Sequence, residues 1–300
     1  MSFKSLFVLL IFCLSLSSGV QSEENEVIYG NDDRELISSS SDPRYQTWAK
    51  ATAAIVVKDL IKPAFGDLIS KIDAVELKNS NYQICEDEPF ADRLITSHCS
   101  AFLVGDDVMV TAGHCVNNQF DCDNLSFVFD YRQDLIHESK DLFIFTDTVY
   151  SCKEIIDSKL DFVTEVDYAV IRLDRKVKNR KPLKFRTGQE KLSDSSSLAV
   201  VGYPMGLPVV VADNAKVRDN GEEDFFTSNL DAFKGNSGGP VINIRTGAVE
   251  GIVISGEDDF QYVSEKRCFV SNQCEDDGCL GEKALRITHI EDILTQAIQN

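Results

Sequence analysis

Short runs of branched and aromatic residues, separated by Gly, Asp and Asn turns, are the feature of this chain that most narrows its fold. Six lie in the first part, at 53–57, 101–104, 108–110, 127–129, 142–145 and 168–173; six lie in the second, at 198–202, 208–211, 225–226, 241–243, 249–254 and 269–270. Runs of this length and composition are strand signals, not helix signals. A polar, basic stretch at 176–186 has no apolar periodicity and reads as a linker between the groups. The pattern predicts an all-β chain, built as two barrels or a sandwich rather than an α/β sheet. Only residues 286–300 depart from it. Thr288 and Glu291 have capping-box spacing, and Ile290, Ile293, Leu294, Ala297 and Ile298 share one helical face, so a docked C-terminal α-helix is expected. Residues 23–50, with the serine run at 38–41 and Asp42-Pro43, are expected to be irregular.

The N-terminus sets a compartment. Lys4, an apolar run over 6–16 and the small residues of Val20-Gln21-Ser22 read as a signal peptide, residues 1–22, cut after Ser22. The run is too short to span a bilayer, so a secreted or periplasmic product without a membrane anchor is expected. Without Cys13, eight cysteines remain: Cys85, Cys99, Cys115, Cys122, Cys152, Cys268, Cys274 and Cys279. An even set in an exported chain points to disulfides. Zinc is disfavoured because no C-x-x-C pair occurs and only four histidines are present. The formal net charge of −19 argues against nucleic acid and in favour of cationic protein or peptide partners. Acidic groups at 219–224, 257–259 and 275–277 lack the spacing of a calcium loop and read as solvated turns. No nucleotide or redox motif is present, so neither metal nor cofactor is expected; nothing in the chain calls for an oligomer, and a monomer is the expectation.

Three segments carry chemistry. Gly-Asn-Ser-Gly-Gly-Pro at 235–240 places Ser237 in a glycine turn; Thr-Ala-Gly-His-Cys at 111–115 offers His114; and Asp-Tyr-Ala-Val-Ile-Arg-Leu at 167–173 offers Asp167 at the start of an alternating strand. A Ser hydroxyl is a poor nucleophile unless a base takes its proton and a third group orients the base. Ser237, His114 and Asp167 fit those roles, and the glycines let the Gly235 and Ser237 amides face one developing oxyanion. Each residue has an ordinary structural explanation alone. Their chain order, His then Asp then Ser, matches one of the known acyl-transfer arrangements.

These segments resemble the trypsin/chymotrypsin family of serine endopeptidases. Residues 99–104 and 111–115 are similar to its half-cystine, strand pair and base turn, and 167–173 and 235–240 complete the match. The resemblance implies two antiparallel six-stranded β-barrels with a C-terminal helix, a Cys99–Cys115 disulfide and the catalytic set His114, Asp167 and Ser237. With that pair formed, three cysteines remain in each half, so full pairing requires one bridge between halves. The implied peptidase unit is 27–300: a first barrel over 27–175, the linker, a second barrel over 187–285, and the helix. Val-Ile-Tyr-Gly-Asn-Asp-Asp-Arg at 27–34 and Gly-Tyr-Pro at 202–204 resemble the bacterial glutamyl-endopeptidase-like branch, which would make 23–26 a short propeptide. Asn236 stands where pancreatic-type relatives carry an Asp that pairs with a new N-terminus, so that activation switch is not expected here.

The resemblance puts Asp231 at the base of the specificity pocket, implying Arg or Lys before the scissile bond, and Gly256 on a wall that pairs with substrate backbone. Asp231 has two other readings: a partner for a Val27 ammonium, or a turn residue facing away. Ala232 and Val253 replace the polar residues of glutamate-cutting members, so glutamate preference is not expected. A peptidase without basic preference, an esterase, and a catalytically silent binding protein on the same scaffold remain alternatives.

Overall fold

The structure is a computed structural model that describes residues 27–136, 141–256 and 258–300. The signal segment 1–22 and residues 23–26 lie outside the described residues.

Twelve strands carry the architecture. Those of the first half are β1 Thr52–Val57, β2 Cys99–Leu103, β3 Val108–Thr111, β4 Leu125–Val128, β5 Val149–Leu160 and β6 Asp167–Leu173. They pair in the order β1-β2-β3-β6-β5-β4, and β4 pairs back with β1 to close a barrel. Those of the second half are β7 Ser197–Gly202, β8 Val210–Asp219, β9 Phe225–Ser228, β10 Pro240–Asn243, β11 Ala248–Ser255 and β12 Glu282–Arg286. They pair in the order β7-β8-β9-β12-β11-β10, with β10 returning to β7, so a second six-stranded antiparallel ring closes. The same winding is used twice, although no sequence repeat betrays it. Full closure leaves neither barrel with a free edge to template aggregation.

Differences from the expected elements have identifiable causes. In each half, five anticipated runs enter the barrel and the sixth does not. Residues Leu142–Phe145 join a separate three-stranded sheet with Ile61–Phe65 and Ile69–Ile72, and Cys268–Ser271 forms a hairpin with Phe260–Val263. The true sixth strands, β5 and β12, are disguised. β5 carries bulges after Cys152 and Ile155 that break the period of two, and β12 begins and ends on charged residues. Residues 43–50 are not irregular. Asp42 caps a helix over Pro43–Lys50 by accepting the Arg44 N–H at 2.8 Å; Pro43 occupies the first turn, where its missing N–H costs nothing; and Tyr45, Trp48 and Ala49 bury one face. The final helix, Glu291–Gln299, buries Leu294 and Ala297 but leaves Ile298 exposed, and it lacks the anticipated capping box. Glu291 instead accepts the Gly188 N–H at 2.7 Å. Among the described residues, no helix is long and apolar enough to cross a membrane.

Four disulfides join Cys85–Cys268, Cys99–Cys115, Cys122–Cys152 and Cys274–Cys279. Cys85–Cys268 supplies the bridge between halves that cysteine parity requires. It closes a span of 183 residues, against 5 for Cys274–Cys279, and so removes more freedom from the unfolded chain. Replacing Cys85 and Cys268 together by Ser is expected to cost about 3–5 kcal/mol, and clearly more than replacing Cys274 and Cys279, in thermal melts followed by circular dichroism.

Candidate active site

The positions of His114 and Asp167 follow from one strand pair. β3 and β6 run antiparallel with Thr111 opposite Ala169, so the turn after β3 and the first residue of β6 emerge at the same end of the barrel. Gly113 lets them meet. A Cβ there would overlap the Lys159 carbonyl and stand 2.9 Å from Asp167 Oδ1. Asp167 Oδ1 accepts the His114 backbone N–H at 3.0 Å, and Oδ2 lies 2.5 Å from Nδ1 of the ring. A carboxylate only accepts, so Nδ1 carries the proton of this contact, and in the neutral ring Nε2 is the acceptor.

The turn at 235–240 is held open by glycine. Gly235 has φ +103° and Gly238 φ +80°, both in the region L side chains avoid. The Asn236, Gly238 and Gly239 amides donate to the Phe233, Val253 and Asn236 carbonyls at 2.7–2.8 Å. Those of Gly235 and Ser237 donate to no group among the described residues. The Lys234 carbonyl accepts from the Met205 N–H at 2.5 Å, and because a trans peptide directs C=O and N–H oppositely, the Gly235 N–H faces away from Met205. Two main-chain donors of this turn are thus left without a partner among the described residues. Ser237 is buried, and its Oγ makes no hydrogen bond. No hydrogen bond therefore joins Ser237 Oγ to the His114 ring, which by itself does not disqualify the pair.

Ser100 on β2, which the sequence reading overlooked, ties the two barrels together. Its N–H donates to Ser237 O at 2.9 Å, its Oγ donates to Gly235 O at 2.7 Å, and the same Oγ accepts the Tyr203 N–H at 3.0 Å. Thr111 Oγ1 donates to Ser100 O at 2.7 Å, which links this clamp to the strand leading to His114. The only hint in sequence was its place beside Cys99. That cysteine pairs with Cys115, whose Sγ lies 3.7 Å from Ser237 O; as a disulfide sulfur it has no proton to donate, so the contact is packing. A His114 ring nitrogen lies within 4.8 Å of both sulfurs, so His114 and Ser237 rest on the same bridge. The grouping of Cys99, His114 and Cys115 is not a metal site, because both thiols are consumed.

Asp231 is engaged by the N-terminal segment. It is 3% exposed, and its two oxygens accept the Tyr29 N–H and the Asp33 N–H, each at 2.7 Å. Burial pushes its pKa up to about 7 against the pull of those two amides. An N-terminal partner was one of the three readings, and the contact seen is with the backbone amides of Tyr29 and Asp33 in that segment. Ala232 and Val253 are buried and apolar, and Gly256 directly follows β11. Asp259 corrects the solvated-turn expectation: it is buried, accepts the Lys234 N–H at 3.1 Å just before Gly235, and is held well above the usual carboxylate range by desolvation.

Residues 99–252 match the family model for the trypsin-like peptidase domain. Among solved structures, a Glu endopeptidase in complex with MPD is similar at 14% identity and TM-score 0.52, over 91% of this chain and 100% of that one. An inactivated protease paralogue of the scabies mite is similar at 14% identity and TM-score 0.51, over 87% of this chain and 95% of that one. At such identity these likenesses speak for the fold alone. No curated protein sequence matches the chain.

Two outcomes follow. Ser100→Ala is expected to cost about 1–3 kcal/mol of stability and to lower kcat on the order of tenfold to a hundredfold with KM nearly unchanged, measured by denaturant unfolding and steady-state kinetics. For Asp231 the sign of the linkage is fixed by its raised pKa. Between about pH 4 and pH 7 the folded chain keeps a proton that the unfolded chain releases, so stability falls as pH rises through that window and is level above it. Asp231→Asn should flatten this slope in melting temperatures recorded from pH 4 to pH 8.

Proposed function

The chain belongs to the trypsin-like peptidase domain family, and on that footing we propose that it is an exported serine endopeptidase with His114, Asp167 and Ser237 as its catalytic groups. Asp167 orients the imidazole. As Ser237 Oγ attacks the scissile carbonyl carbon, its proton passes to His114 Nε2, and the charge that develops on the carbonyl oxygen meets the Gly235 and Ser237 amides. The tetrahedral adduct collapses as His114 returns the proton to the leaving amine. Water then repeats the sequence on the acyl-enzyme, with His114 as base, and frees Ser237.

The observation that carries this reading is the pair of amides in the nucleophile turn that no carbonyl takes, set on the same disulfide as an imidazole already oriented by its acid. The scabies mite paralogue is described as inactivated, so the fold alone does not make a peptidase. The activity is argued from these residues instead. Four disulfides support an oxidising, extracellular or periplasmic setting. Glutamate preference is not inferred from the Glu endopeptidase likeness, because buried Ala232 and Val253 offer no donor to a carboxylate. Asp231, engaged by Tyr29 and Asp33, is assigned to holding the N-terminal segment.

A fluorophosphonate probe is expected to label wild-type protein at Ser237 and to leave Ser237→Ala unlabelled. Peptide hydrolysis by Ser237→Ala should fall on the order of 10⁵–10⁶-fold. Wild-type protein that folds but neither labels nor cleaves would make it a silent binding scaffold; cleavage of simple esters without peptides would make it an esterase.

A further inference from the structure

The connection between β1 and β2 runs over residues 58–98, far longer than the turn that two paired antiparallel strands require. Connections of more than about 15 residues in a compact fold are usually functional. This one is fastened to the second half of the chain. Cys85 is bonded to Cys268, Gln83 and Cys85 exchange backbone hydrogen bonds with Phe269 at 3.0 and 2.9 Å, and the Thr96 N–H donates to Gly206 O at 3.0 Å. Tyr82 packs against Phe260 with ring centroids 6.3 Å apart. The connection is therefore a fixed wall, and what binds to it pays little to order it.

Between this wall and the nucleophile turn lies a cavity of about 680 Å³, a size that suits a ligand. Val75, Tyr82 and Ile95 line it from the connection, and Met205 and Lys234 line it from the opposite side. Lys234 directly precedes Gly235, whose amide has no partner among the described residues, so the cavity is continuous with the candidate site. Ser97 lines it too. That residue is 9% exposed, and its buried hydroxyl has no hydrogen-bond partner among the described residues, a costly state unless a bound group meets it. His98, another lining residue, precedes Cys99, whose bridge to Cys115 lies against the His114 ring. The cavity is thus on the side where the imidazole would return its proton to a leaving amine. None of the β11 residues lines it.

Resting on the serine-peptidase reading, we propose that this cavity receives an apolar side chain of the polypeptide substrate from the residue just after the scissile bond. Val75, Tyr82, Ile95 and Met205 supply its apolar contacts, and Ser97 Oγ meets the main chain of the same segment. Burial of a Leu or Phe side chain there, against a Gly that buries none, corresponds to about tenfold to hundredfold in selection.

The test reads the leaving side alone. Ser237 is acylated by a small ester, and the acyl-enzyme is then offered Leu, Phe, Asn or Gly amide in competition with water. The incoming amine nitrogen forms the new amide bond as the ester bond to Ser237 breaks, and its proton passes through His114 to Ser237 Oγ. Wild type should transfer the acyl group to Leu or Phe amide about tenfold to hundredfold more often than to Gly amide, while Asn amide, close to Leu in size but polar, should do no better than Gly. Val75→Asp, at a position 52% exposed, and Tyr82→Ala should lose this preference although Ser237 still labels with fluorophosphonate. Phe65→Ala, on the same connection but outside the cavity, should keep it. Equal transfer to all four amides by protein that labels, retention of the wild-type preference by Val75→Asp or Tyr82→Ala, or a uniform loss toward all four amides in those variants overturns this assignment alone. Should neither variant fold, peptides varied one residue at a time on both sides of the cut decide on wild type: selection of Leu or Phe just after the cut supports the assignment, and indifference there overturns it. Wild type that does not label overturns the serine-peptidase reading and this assignment together.

Discussion

Ser100 is the point on which the arrangement turns. A candidate site shared by two barrels needs a rigid joint, because His114 and Asp167 stand on one and Ser237 on the other. Ser100 provides that joint with both main chain and side chain: its amide fixes the Ser237 carbonyl and its hydroxyl fixes the Gly235 carbonyl. Since a carbonyl and the next amide point oppositely along each peptide, fixing these oxygens also sets the orientation of the peptides around the nucleophile. Gly238 must be glycine for the same reason, because a Cβ there would overlap Thr111 Oγ1 and the Ser100 carbonyl. The aromatic seam reinforces the joint. Tyr203 stacks on Tyr131 at 5.9 Å and donates its hydroxyl to Thr52 O, while the Tyr131 hydroxyl donates to Leu94 O and Gly206 O.

Around this joint, loops are pinned by carboxylates that accept main-chain amides. Asp167 holds the His114 turn, Asp231 the N-terminal segment at Tyr29 and Asp33, and Asp259 the Lys234 amide. Each tie satisfies a buried donor that would otherwise be costly. Asp231 and Asp259 are pushed up in pKa by desolvation, which makes these loops more sensitive to pH than an apolar core would be. A chain of high negative charge thus keeps some of its acids inside, where these three tie down main-chain amides.

Particular residues show where sequence reading succeeded and where it stopped. The glycine turn at 235–240 and the His114–Asp167 contact were open to anticipation from residue type: Gly235 and Gly238 hold backbone that L side chains avoid, and an imidazole pairs readily with an acid. Five strands per barrel were legible from composition. β5 was not, because its bulges scramble the alternation, and Leu142–Phe145 misled because local composition cannot say which partner a strand finds. Asp42-Pro43 was read as a turn although the same pair starts a helix: an extended Asp followed by Pro suits both, and the buried face of Tyr45, Trp48 and Ala49 decides between them. Asp259 looked like one acid in a solvated run until the fold set it against the Lys234 amide.

By itself the sequence determined the all-β character, the even set of cysteines with its required bridge between halves, and the residue types able to carry acyl transfer. These are properties of local chemistry and of counting. Only the tertiary structure decided that Cys85 meets Cys268, that Ser100 clamps the nucleophile turn, that Asp231 serves the N-terminal segment, and that the 58–98 connection faces Lys234 across a cavity. Each of these joins positions distant along the chain. What brings them together is the closure of two barrels, whose register no single segment encodes.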